Sequence, residues 1–168
     1  MTRYPGVKSD DRLIDLSALK PQPWKNGGGS TLQLAIDPPD AGLDTFSWRV
    51  SQARIESDGP FSQFQHVTRW IMLLQGNGFE LDFPGGRKQR VVQPFVLHRF
   101  DGGIRTGCRL IDGPCTDLNV MARKGLIIAV SVIPPGSDAP PEGFAVRRED
   151  GLMVRLSEDR LLRVIVSP

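Results

Sequence analysis

Three groups of side chains in this chain have types and spacings that could do chemistry. The first is Pro23-Trp24-Lys25-Asn26-Gly27-Gly28-Gly29-Ser30-Thr31. Glycine in a regular element costs about 0.5–1 kcal/mol relative to alanine, so three in a row point to unusual dihedrals or to backbone packed close against something. With Trp24, Lys25 and Asn26 before them, these glycines suggest a binding edge of backbone N–H groups beside a positive charge. The plainer alternative is a glycine-rich loop anchored by Trp24. The second group is Arg49 and Ser51 on one alternating face, with Arg69 opening a separate apolar run. The third is Asp117-Leu118-Asn119-Val120-Met121, in which Asp117, Asn119 and Met121 alternate as residues lining an interior would. A buried cation is costly unless paired, which allows two readings. One is a structural ion pair, such as Asp117 with Arg49. The other leaves a guanidinium for an anionic ligand, since its planar fork grips a carboxylate at two points.

Other chemistries find little support. The two histidines, His66 and His98, form no metal-ligand motif, and the two cysteines, Cys108 and Cys115, form no Cys-x-x-Cys. A mononuclear site needs three or four placed ligands, so neither a metal nor another cofactor is expected. There is no Gly-x-Ser-x-Gly elbow. Lys25 precedes its glycines, which excludes a phosphate-binding loop of the Gly-x-x-x-x-Gly-Lys type. The cysteines could close a short loop around Asp112-Gly113-Pro114, but two reduced thiols are the expectation for a cytosolic chain.

The elements that must position these residues read as strands. Eighteen glycines and fourteen prolines cut the chain into short pieces with little helical periodicity. Strands are expected at Arg12–Leu16, Thr31–Ile36, Phe46–Ile55, Thr68–Leu74, Phe79–Phe83, Val91–Val96, Asp117–Met121, Leu126–Ile133, Phe144–Arg148, Leu152–Leu156 and Leu161–Val166. One helical turn is expected at Ser17–Lys20, ended by Pro21. In the second long strand Phe46, Trp48 and Val50 share one face, leaving Ser47, Arg49, Ser51 and Ala53 as a small, polar pocket wall. Many short strands with Gly/Pro turns mean a sandwich, a jelly roll or a barrel.

A chain of 168 residues can bury a proper core, and a net charge of +2 without a basic run gives no reason to expect a nucleic-acid partner. No apolar stretch reaches the roughly 18 residues of a membrane span, so no membrane partner is expected. The polar start over residues 1–11, with Pro5 and Gly6, reads as a loose tail and not a signal peptide, which makes the cytoplasm the default location.

Four blocks in order resemble the HutD/Ves family: the stretch from Pro23 to Thr31; Trp48-Arg49-Val50-Ser51; Gly59-Pro60-Phe61-Ser62; and Gly113 through Asp117-Leu118-Asn119-Val120-Met121. The run Arg69–Leu74 followed by Gly76 sits where the family has its Arg and Leu-Leu-x-Gly strand. The resemblance spans roughly residues 12–133 and departs at Gln65-His66, where the family often has Pro-Gly. It implies an all-β, cupin-like (RmlC-like jelly-roll) fold with two packed β-barrel halves, forming a single bicupin-like domain over residues 12–168. The cavity residues it implies are Trp24, Lys25, Asn26, Gly27, Gly28, Thr31, Arg49, Ser51, Arg69, Asp117, Asn119 and Met121. The implied function is metal-independent binding of a small anionic carboxylate metabolite (formate, urocanate or a formiminoglutamate-like compound) by a sensor or regulator in histidine utilisation. The alternatives are a metal-free enzyme using Lys25 or Asp117 as acid or base, and a stress-response interaction protein with a vestigial pocket. A homodimer is left open.

Overall fold

The computed structural model describes Tyr4 and residues 6–168, so the expected tail over residues 1–11 lies partly outside the described residues. Those residues form fifteen strands: β1 (Arg12–Asp15), β2 (Gln22–Pro23), β3 (Gly29–Asp37), β4 (Trp48–Ile55), β5 (Gly59–Pro60), β6 (Val67–Gln75), β7 (Phe79–Asp82), β8 (Lys88–Val91), β9 (His98–Asp101), β10 (Gly107–Leu110), β11 (Cys115–Arg123), β12 (Ile128–Ile133), β13 (Phe144–Arg148), β14 (Gly151–Arg155) and β15 (Leu161–Val166). The expected helical turn is a 3-10 turn at Leu16–Ala18, where the Asp15 carboxylate accepts the Ser17 N–H at 3.0 Å.

The chain divides into two compact units. One combines the chain up to Leu19 with Gly125–Pro168 and holds an antiparallel sheet in the order β1-β13-β14-β15-β12. Its β-branched and aliphatic runs supply buried Ile14, Val146, Leu152, Val154, Leu162 and Val164.

The other unit, Lys20–Lys124, holds two sheets, ordered β2-β3-β4-β11-β6-β9 and β5-β10-β7-β8. Alternation along β4, β6 and β9 sends Ile55, Ile71, Leu73 and Phe100 from the larger sheet into one apolar cluster with Phe79, Leu81, Val91 and Cys108 from the smaller. Each large side chain buried there contributes about 1.5–3 kcal/mol. Across the pleat the larger sheet carries Val50, Met72, Leu118 and Val120, also fully buried. Cys108 and Cys115 are free thiols.

The all-β expectation holds, but the expected barrel halves do not. Among the described residues all three sheets are open. Closing a sheet requires its two edges to pair along their length. Here β2 and β5 are two residues long and each contains a proline, which has no N–H to donate. The opposite edge of the smaller sheet, β8, exposes Lys88, Gln89 and Arg90, charges and amides that discourage further pairing.

The expected strand at Val91–Val96 is also corrected. Pairing stops at Val91, Phe95 takes a left-handed backbone (φ 64°), and Pro94 makes only an isolated bridge to Leu73. Phe46 precedes β4 and packs with Ile36, Val67 and Met121 instead of sharing a strand face with Trp48.

Candidate functional site

Register places the polar residues together. On β11, Met121 lies between Arg49 of β4 and Arg69 of β6; Asn119 lies between Ser51 and Ile71; Asp117 lies between Ala53 and Leu73. Because side chains alternate along each strand, Arg49, Ser51, Ala53, Arg69, Asp117, Asn119 and Met121 project to one face. One end of that face is the apolar cluster around Ile55 and Leu73. The other end is the wall of a cavity of about 650 Å³.

Three residues deep in that wall form a hydrogen-bonded chain. Arg69, Asn119 and Asp117 are 5%, 4% and 1% exposed. Arg69 Nη2 donates to Asn119 Oδ1 at 2.7 Å, and Asn119 Nδ2 donates to Asp117 Oδ1 at 2.8 Å. The amide's acceptor and donor are thus both used, and Asn119 links a cation and a carboxyl that make no ion pair with each other. Arg69 Nε and Asp117 Oδ2 are buried and have no hydrogen-bond partner. The Arg69 guanidinium also lies 5.2 Å from the Phe61 ring centroid, 5.0 Å from that of Phe100 and 5.9 Å from that of Phe64. Such contacts stabilise a desolvated cation by up to about 2 kcal/mol.

Burial dominates the electrostatics. It pushes the Asp117 carboxyl up to about 7, against the opposing pull of Arg69, the Ala53 backbone and the Asn119 amide. It pulls Arg69 down to about 10, with Asp117 opposing the fall and Arg49 adding to it. Arg49, half-buried, is also lowered by desolvation, and its Nε donates to Gln33 Oε1 at 2.9 Å. The structural pair of Asp117 with Arg49 is therefore not formed: Gln33 holds Arg49, and Asn119 holds Asp117.

The glycine-rich stretch contributes differently from its appearance in sequence. Trp24, Lys25, Asn26 and Thr31 line the cavity; Gly27 and Gly28 do not. The Gly27 N–H donates to the Trp24 carbonyl and the Gly28 N–H to Asn26 Oδ1, so both are used within the turn. Gly29 is required by close approach, since a Cβ there would collide with the Arg54 carbonyl and the Trp24 ring. The glycines thus seat Trp24, whose Nε1–H donates to Thr31 Oγ1 at 2.7 Å. Lys25 and Asn26 are exposed, at the mouth.

Sequence reasoning overlooked Phe61, Phe64 and Gln33 on the wall and the exposed Leu43 near them. Phe61 was within reach, because it belongs to the Gly59-Pro60-Phe61-Ser62 block. His66 is exposed, is not on the wall, and has φ 60°, the left-handed conformation that a glycine would adopt without strain at that position. Among the described residues no group of three or more His, Cys, Asp or Glu is placed to hold a metal ion, and no helix is long and apolar enough to cross a membrane.

Comparison with known proteins identifies the family of the chain. The chain is 41% identical over 99 residues to an uncharacterised 21.2 kDa protein in the hutC 3′ region of Pseudomonas putida, a match covering 59% of this chain and 51% of the relative. It is 34% identical over 116 residues to protein Ves of Citrobacter koseri, covering 66% of this chain and 57% of that protein. The chain thus spans little more than half the length of these curated relatives. In structure it is similar to HutD from Pseudomonas fluorescens SBW25, solved in a formate condition. The TM-score is 0.73 with 24% identity, over 94% of this chain and all of that one, which shows the shared fold. With the HutD family model matching residues 16–148, the chain belongs to the HutD family, to which the Ves proteins are related.

Proposed function

We propose that the cavity binds a small carboxylate metabolite and that the protein acts as a sensor or regulator in histidine utilisation. The observation that carries this reading is the charge of the wall. Among the described residues on the wall, Lys25, Arg49 and Arg69 face a single acidic residue, Asp117, whose carboxyl burial drives toward its neutral form. Arg49 or Arg69 takes the carboxylate, Lys25 raises the potential at the mouth, and Trp24, Phe61 and Phe64 cover an apolar or imidazole portion. Charged hydrogen bonds contribute about 1.5–3 kcal/mol each. Two of them with modest burial give millimolar to micromolar affinity, about 4–8 kcal/mol. Membership of the HutD family and the likeness to a protein of the hutC 3′ region support the metabolic setting.

The test is a thermal-shift series with formate, urocanate and formiminoglutamate, repeated with EDTA. A ligand at about a hundred times its Kd stabilises by about 2.7 kcal/mol. The expected result is a shift that survives EDTA and is lost in Arg49→Ala. Equal shifts in folded Arg49→Ala and Arg69→Ala proteins overturn the assignment. The placement of Asp117 near neutrality also favours a second reading, acid–base catalysis without a metal. That reading requires turnover in EDTA that Asp117→Asn abolishes.

A further inference from the structure

Asp117 is the only acidic side chain on the cavity wall among the described residues, and the most buried of the charged ones. One carboxylate oxygen is held by Asn119 and the other has no partner. The groups around it are Arg69 from β6, the Ala53 backbone of β4, Cys108 from β10, and Asn119 and Cys115 on its own strand, with Arg49 of β4 acting on Arg69. Burial keeps both thiols protonated, that of Cys108 pushed up to about 12, so neither adds charge near neutrality. Arg69 is therefore the cation that most directly stabilises an ionised Asp117, through space and through the Asn119 link.

A ligand carboxylate at the arginines competes for that same stabilisation. Two carboxylates sharing a desolvated guanidinium do not both stay ionised. The proton goes to the one with less solvent and fewer partners, which is Asp117. Once protonated, its unpartnered Oδ2 changes from acceptor to donor. We propose that the cavity takes up a carboxylate and a proton together, the proton residing on Asp117 and Asn119 coupling that carboxyl to Arg69. This deepens, and rests on, the carboxylate-binding reading above. The unit captured has the overall charge of a neutral carboxylic acid, although the anion is the species free in solution.

Isothermal titration calorimetry with formate and with acetate tests this, in paired buffers of different ionisation enthalpy. Neither probe exchanges a proton of its own near neutrality, since simple carboxyls titrate at about 4. For the parent, the expected uptake is close to one proton per anion at about pH 8, with binding about tenfold weaker there than at about pH 6. In Asp117→Asn both the uptake and the pH dependence should vanish. In Arg49→Ala binding should weaken at both pH values with the uptake retained. Binding by the parent without proton uptake overturns the coupling and leaves carboxylate binding standing; no binding of formate or acetate overturns the coupling, and with no thermal shift from urocanate or formiminoglutamate it overturns carboxylate binding as well. Should Asp117→Asn fail to fold, the proton count on the parent decides alone.

Discussion

A carboxyl held as Asp117 is must leave its mark on folding as well as on binding. Its folded value of about 7 lies above the unfolded value of about 3.9. Between these values the native state keeps a proton that the unfolded chain has released. Stability from this group is therefore highest below about pH 4 and falls as pH rises toward about 7. Urea unfolding of the parent and of Asp117→Asn at about pH 5 and about pH 7.5 should show the parent losing stability relative to the variant as pH rises. Parallel pH dependences would contradict the burial of this charge. These residues are legible in the sequence as polar types set in apolar strands. The sequence could not show which arginine meets which acceptor. Arg69 opposes Met121 in register, and only its long stem brings the guanidinium back to Asn119. The amide relay depends on side-chain reach, which spacing along one strand does not encode.

At the level of elements, His66 shows how a turn can keep its shape with an unfavourable residue. Left-handed backbone costs an L-residue about 1–2 kcal/mol. Glycine returns about 0.5–1 kcal/mol of that through the freedom it gains in the unfolded chain. His66→Gly should therefore stabilise the protein by about 1 kcal/mol, a rise of about 2–4 °C in Tm for a chain this size. A lower Tm would mean that the imidazole, within electrostatic reach of Asp101, contributes more than the strain costs. Strand positions were mostly legible, because alternation and Gly/Pro punctuation act locally, as in β7 and β15. They misled at Val91–Val96, whose β-branched residues suit a strand. There, Pro94 offers no N–H and the left-handed backbone of Phe95 ends pairing.

For the whole molecule, counting short strands identified an all-β chain, but it did not distinguish open sheets from closed ones. That outcome rests on which edges meet, a long-range property carried here by two-residue strands too short to show a pattern. Nor did the sequence announce that one compact unit is assembled from both ends of the chain. β1 pairs with β13 in a register that joins Arg12 to Arg147 and Asp15 to Phe144. The strands of Lys20–Lys124 find all their sheet partners within that segment. Closing the long loop between β1 and β13 costs conformational entropy that shorter pairings do not. In pulse-labelled hydrogen exchange, amides of β4, β6 and β11 should gain protection before those of β1; simultaneous protection would oppose this order. During synthesis at about 5–20 residues per second, β1 emerges on the order of ten seconds before its partner exists. It must pass that interval as an unpaired edge, and exposed charges such as Arg12 and Asp15 at its two ends disfavour pairing with a wrong neighbour.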